Sequence, residues 1–194
     1  GAIHESPDKR NTNHVGAIHE SPDQPSSQGK AMGGTMDILV IESMELNGRS
    51  GHEAGRELLS AMYRRQFGAD MPEIAVGQWG KPYFADGSAH FSISHTKSRV
   101  FCVLSDRNVA IDGEEMNRKV SENLAKKLLS PEEFAQYEAA RNKTHALLKF
   151  WVLKEAAGKL SGKGVTPYPN HTAFSLDDPR ITEIHGHFVA VMTE

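Results

Sequence analysis

The chain has 194 residues, enough for one ordinary domain or two small ones, and its 38% hydrophobic content supports a core. Apolar runs such as Ala146 to Leu153 are broken by charges and fall short of the roughly 20 residues a membrane-spanning helix needs, and a net charge of −3 gives no global basic field, so neither membrane nor nucleic acid is an expected partner. Cys102 is the single cysteine, which rules out an internal disulfide and a cysteine-rich zinc site and fits a cytoplasmic protein.

Residues 1–35 are rich in Gly, Ser, Pro, Asn and His, and the stretch GAIHESPD at Gly1 to Asp8 recurs at Gly16 to Asp23. Such a segment buries too little apolar surface to offset its ordering entropy, so it reads as a disordered leader or tag without a signal-peptide pattern, and Met36 reads as a native start.

Asp37 to Ser43 is a β-rich run. Leu58, Leu59, Met62, Tyr63 and Phe67 recur at three- and four-residue spacing and predict a helix over His52 to Phe67, stopped at Gly68. Ile74 to Val76 reads as a strand and Gly80-Lys81-Pro82 as a turn, followed by strands at His90 to Ser94, Val100 to Ser105 and Val109 to Asp112. Val120 to Leu129 is one amphipathic segment. Ser130-Pro131-Glu132-Glu133 is a helix start with a serine cap, a proline in the first turn and a glutamate able to close a capping box. A long helix is expected over Lys143 to Leu160, stopped near Gly162. His171 to Ser175, Ile181 to His185 and Phe188 to Met192 read as strands, the last two joined as a hairpin across Gly186. His185 and His187 flank that turn and are not expected to form a metal pair. The mixture favours layered α+β over a doubly wound parallel sheet.

Three stretches carry more than packing. In Val109-Ala110-Ile111-Asp112-Gly113-Glu114-Glu115, extended backbone points Asp112 and Glu114 to one side, where two carboxylates repel unless a cation or proton lies between them. A hard divalent ion satisfies both; a surface turn after a strand is the simpler alternative. In Phe150-Trp151-Val152-Leu153-Lys154-Glu155-Ala156-Ala157-Gly158-Lys159, Glu155 and Lys159 share a helix face. They read either as an exposed pair worth a few tenths of a kcal/mol or as a metal ligand and a phosphate contact; the apolar helix around them argues for burial, and a buried glutamate needs a cationic partner. Finally, Lys81 on a turn and Ser94-His95 at a strand end are types that bind phosphate, with a hydrogen-bonded turn histidine as the alternative for His95. Ser94 lacks a Gly-x-Ser-x-Gly elbow.

Taken in order, GKP, SISH, IDGEE and FWVLKEAAGKLSGKG, over about residues 80–164, resemble the 4′-phosphopantetheinyl transferase superfamily, most closely its surfactin-synthetase-activating (Sfp-type) branch. The resemblance implies an α+β pseudo-dimer of two similar α/β halves, here 36–105 and 106–194 with the N-terminal half shortened, and coenzyme A and Mg²⁺ in the cleft between them. It implies metal binding by Asp112, Glu114 and Glu155, Glu155 as a candidate base, Lys159 near the pyrophosphate, and Lys81, Ser94 and His95 on the phosphates of coenzyme A. The implied reaction is Mg²⁺-dependent transfer of 4′-phosphopantetheine from coenzyme A to a serine of an acyl or peptidyl carrier protein, by a monomer. A non-catalytic carrier-binding module and a phosphohydrolase are the competing readings.

The sequence departs from the family pattern at three places. Ala110 replaces a glycine, which an ordinary strand tolerates. Gly113 replaces an apolar residue and is expected to loosen the two acids. The short N-terminal half leaves Arg49 and Arg56 as substitutes for the basic residues that hold the adenosine 3′-phosphate.

Overall fold

The computed structural model describes residues 37–163 and 173–194; the predicted leader lies outside them. In chain order the elements are β1 (Leu39–Glu45), α1 (Gly51–Phe67), β2 (Ile74–Val76), β3 (Pro82–Phe84), β4 (His90–His95), β5 (Arg99–Ser105), β6 (Val109–Glu115), α2 (Glu122–Leu128), α3 (Pro131–Ala139), α4 (Lys143–Ser161), β7 (Ile181–Ile184) and β8 (His187–Thr193). The strands pair as β1-β5-β4, β2-β3 and β6-β8-β7, all antiparallel.

β5 is buried along its whole length because it is covered on both faces. Val100, Cys102 and Leu104 pack with Leu58, Leu59, Met62 and Tyr63 of α1. Phe101 and Val103 point the other way and pack with Val109, Ile111 and Val189 of β6 and β8. On the far side of β8, Phe188, Ala190 and Met192 meet Leu148, Val152, Leu153 and Ala156 of α4. The period-two alternation thus sends each central strand's side chains into two different cores. α4 is apolar nearly all round for a parallel reason: Ala146, Leu147 and Phe150 pack with Ala125, Leu128, Leu129 and Tyr137 from the α2–α3 region.

Some boundaries differ from those predicted. Pro82 opens a short strand rather than ending a turn, and β6 continues past Asp112 to Glu115. Of the strand predicted at His171 to Ser175, residues 171–172 lie outside the described residues and Ala173, Phe174 and Ser175 are irregular. Side chains of α3 take the place of a strand partner there. Phe174 N–H donates to Glu133 Oε1 at 3.0 Å, Gln136 Nε2 donates to Phe174 O at 3.0 Å, and Leu176 N–H donates to Gln136 Oε1 at 3.1 Å. The β7–β8 hairpin turns through His185 and Gly186, both at positive φ, the type that matches strand twist. Among the described residues no helix is long and apolar enough to cross a membrane.

Candidate functional site

Asp112 is brought to a buried point by β6, and two side chains from distant parts of the chain bond to it. Lys159 Nζ, on α4, donates to Asp112 Oδ1 at 2.7 Å and to the Ile111 carbonyl at 3.2 Å. Ser94 Oγ, on β4, donates to the same Oδ1 at 2.9 Å. Glu155 lies one turn before Lys159 on α4, half-buried, and its carboxylate makes no hydrogen bond or ion pair among the described residues.

The electrostatics follow from this placement. Burial pushes the Asp112 carboxyl above its ordinary range, with Lys159 and Ser94 pulling against it and Glu114 adding to it. Glu155 is raised as well, first by burial and then by the charge of Asp112; Lys159 and Arg118 oppose the shift, and Glu114 reinforces it. Glu114 pairs with Arg118, four residues on, and the Arg118 guanidinium lies 5.3 Å over the Trp151 ring.

The three expected metal ligands therefore share one electrostatic field without forming a coordination cluster; among the described residues no group of three or more such side chains is gathered to hold an ion. Their chemistry fits a hard divalent cation. All three are oxygen donors, and each raises or is raised by another, which is repulsion that an added positive charge relieves. Lys159 and Arg118 set positive charge beside Asp112 and Glu114.

The phosphate-binding candidates are arranged around this point. Lys81 Nζ donates to Asn108 Oδ1 at 2.6 Å and to the Leu160 carbonyl at 3.3 Å, tying the β2–β3 ribbon to the end of α4, and burial holds its pKa below the usual lysine range. Lys81 and Lys159 line one cavity of about 260 Å³ with Trp79, Pro82, Phe91 and Ile93. His95 is exposed at the end of β4. Its ring lies so close to Gly51 that a Cβ there would come within 2.5 Å of it, so the glycine at the start of α1 seats the imidazole. Ser94 is satisfied inside the protein, since besides donating to Asp112 its oxygen accepts from Gly113 N–H at 3.2 Å. Arg49 is committed to Glu57 at 2.7 Å and to the Leu46 carbonyl at 3.3 Å, while Arg56 is exposed on α1.

Sequence reading did not single out Arg118, Trp79 or Asn108. Arg118 had a signal, its four-residue spacing from Glu114 just past a strand; Trp79 and Asn108 join the site only through tertiary packing.

The family model for the 4′-phosphopantetheinyl transferase superfamily matches residues 108–190, the part that carries Asp112, Glu114, Glu155 and Lys159. The chain is 30% identical over 117 residues to 4′-phosphopantetheinyl transferase Sfp of Bacillus subtilis (strain 168), covering 58% of this chain and 52% of that one. It is 31% identical over 90 residues to 4′-phosphopantetheinyl transferase gsp of Aneurinibacillus migulanus, covering 45% and 37%. It is 31% identical over 131 residues to 4′-phosphopantetheinyl transferase AcpT of Salmonella typhi, covering 65% and 66%. The chain thus spans about half or less of the length of the first two relatives.

Proposed function

Because the chain belongs to the 4′-phosphopantetheinyl transferase superfamily, with relatives in its Sfp-type branch, we propose that it transfers 4′-phosphopantetheine from coenzyme A to a serine of an acyl or peptidyl carrier protein. The observation that carries the reading is the meeting of Asp112 with Lys159 and Ser94, residues 47 and 18 positions away, beside a glutamate without a hydrogen-bond or ion-pair partner among the described residues. Packing alone does not require a buried acid, a lysine and an unpaired carboxylate at one point.

In this reading the two layers, β1-β5-β4 with α1 and β6-β8-β7 with α4, are the two halves of the pseudo-dimer, and the cavity along Lys81 and Lys159 receives part of coenzyme A. Trp79, Pro82 and Phe91 give that cavity flat apolar walls suited to an aromatic ring. Lys81 and His95 hold phosphates of coenzyme A. Asp112, Glu114 and Glu155 would hold Mg²⁺, which when bound neutralises charge on the pyrophosphate. Glu155 is suited to act as base because its carboxylate makes no hydrogen bond or ion pair among the described residues and is left to accept a proton. It takes the proton of the carrier serine, whose oxygen bonds to the β-phosphorus. The bond from that phosphorus to the bridging oxygen breaks, and the electron pair leaves with 3′,5′-ADP. Lys159 stabilises the departing phosphate. Ser94 serves by holding Asp112.

The test is labelling of an apo carrier protein with a fluorophore-bearing coenzyme A in the presence of Mg²⁺. Wild-type protein is expected to label the carrier, and Glu155→Ala and Lys159→Ala to lose at least about a hundredfold in rate, as removal of transition-state stabilising groups does. Labelling by Glu155→Ala at the wild-type rate contradicts the site assignment.

A further inference from the structure

Between Phe91 and Arg99 every second residue carries a hydroxyl: Ser92, Ser94, Thr96 and Ser98. All four reach across to the other sheet. Ser92 Oγ accepts from Ile111 N–H at 3.1 Å, and Ser94 Oγ accepts from Gly113 N–H at 3.2 Å. Thr96 Oγ1 lies 3.1 Å from His187 Nε2, and Ser98 Oγ donates to Glu115 Oε1 at 2.8 Å. The His187 Nδ1 is 2.8 Å from the His185 carbonyl, so Nδ1 carries the proton and Nε2 accepts from a hydroxyl.

The pattern answers a problem posed by the two sheets. Among the described residues β6 pairs in a ladder only with β8, so its other edge presents amides toward β4 without a ladder. Buried amides require partners. Serines two apart on β4 match amides two apart on β6, so side-chain oxygens do the work that carbonyls do in an ordinary ladder. Ser92 and Ser94 are both buried, which keeps water from competing for those amides.

We propose that Ser92 is a positioning residue for the transfer reaction: with Ser94 it sets the height of β6 against β4, and so places Asp112 against Lys81 and His95 of the other half. This rests on the transferase reading above. Ser94 acts on Asp112 directly. Ser92 is one step removed, bonded to the amide of the residue before Asp112, and it also lines the cavity shared with Lys81 and Lys159, so the split between kcat and KM separates positioning from contact with coenzyme A. Sliding or loosening the seam moves the acids of one half relative to Lys81 and His95 of the other.

The experiment compares wild type, Ser92→Ala and Ser92→Thr in full-length protein, by steady-state transfer kinetics and by amide hydrogen exchange at Ile111. Ser92→Ala is expected to lower kcat by about tenfold or more, the scale of a sub-ångström misplacement, with KM for coenzyme A changed by less than about twofold. Exchange at Ile111 is expected to accelerate in the ion-free protein, and Ser92→Thr, which keeps the oxygen, to restore both. If Ser92→Ala does not fold, Ser92→Cys keeps the volume with a weaker acceptor and is expected to show the same direction at smaller size. An Ile111 amide as protected as in wild type, an unchanged kcat, or a loss confined to KM overturns the proposal. A wild-type chain that transfers nothing overturns the function reading and the positioning role with it, while exchange at Ile111 reports separately whether the seam exists.

Discussion

Gly113 stands between the two acids of β6, where its lack of a side chain suggested loose placement. The opposite holds. The Phe101 ring sits where a Cβ would be, with its Cδ2 2.7 Å from that position, so the glycine lets an aromatic ring clamp the strand from the neighbouring sheet. Gly113→Ala is expected to destabilise the fold by about 1–3 kcal/mol, the cost of overpacking. Thermal or denaturant melts check this. Combining it with Phe101→Leu is expected to cost less than the sum of the two single changes, because the methyl then occupies space the ring has left. Ser94, Asp112, Glu155 and Lys159, which the structure gathers at one point, stood out as candidates in the sequence because each is a charged or polar side chain on an apolar strand or helix. The clamp did not, since nothing in local pattern says which residue a glycine faces.

The helix pair α3 and α4 shows the same division at the scale of elements. The capping box at Ser130 and Glu133 was readable from four consecutive letters and is present. The second task of Glu133 was not readable. The fully buried carboxylate also accepts from Lys154 Nζ at 2.7 Å and from Phe174 N–H at 3.0 Å, so one side chain fixes α3, α4 and the segment leading to β7. Lys154 immediately precedes Glu155, so this pair also sets the rotation of α4 that presents Glu155 and Lys159 to β6. Burial by itself pushes Glu133 up, but the Lys154 pair and the backbone donors together hold its pKa below the ordinary carboxylate value. The sign follows directly. A lowered folded pKa means the contribution is complete above the unfolded value of about 4.3 and is lost as pH falls through the folded one. Glu133→Gln leaves Lys154 buried without a counter-charge and is expected to cost about 3–5 kcal/mol at neutral pH. The gap in melting temperature between it and wild type is expected to narrow on acidification below about pH 4, since protonation then removes the same charge from wild type. A gap independent of pH contradicts the ion-pair account.

At the scale of the whole molecule, strand and helix positions were largely legible, because the 3.6- and 2-residue periods are local properties of the chain. The β7–β8 hairpin was legible too, from the turn at Gly186, but the pairing of the other strands was not, nor how two three-stranded sheets close on each other, because those depend on hydroxyls, rings and glycines meeting across long separations. The irregular path at Phe174 illustrates this: an apolar, β-prone stretch is held by glutamate and glutamine side chains instead of a strand. Lys81 belongs to this scale too, since it spans from the β2–β3 ribbon to Asn108 and the end of α4. Lys81→Ala is expected to raise KM for coenzyme A more than it lowers kcat, a split read from steady-state kinetics with carrier saturating.

The central claim, transfer of phosphopantetheine rather than binding or hydrolysis, is tested most directly by intact-mass spectrometry of an unlabelled apo carrier protein incubated with the wild-type chain, coenzyme A and Mg²⁺, with coenzyme A followed in the same samples. The carrier is expected to gain one phosphopantetheine, coenzyme A to be consumed in equal amount, and both changes to stop when EDTA is added. Carriers of several types left unmodified beside intact coenzyme A would contradict it in favour of a docking module, and coenzyme A cleaved beside unmodified carrier would contradict it in favour of a hydrolase.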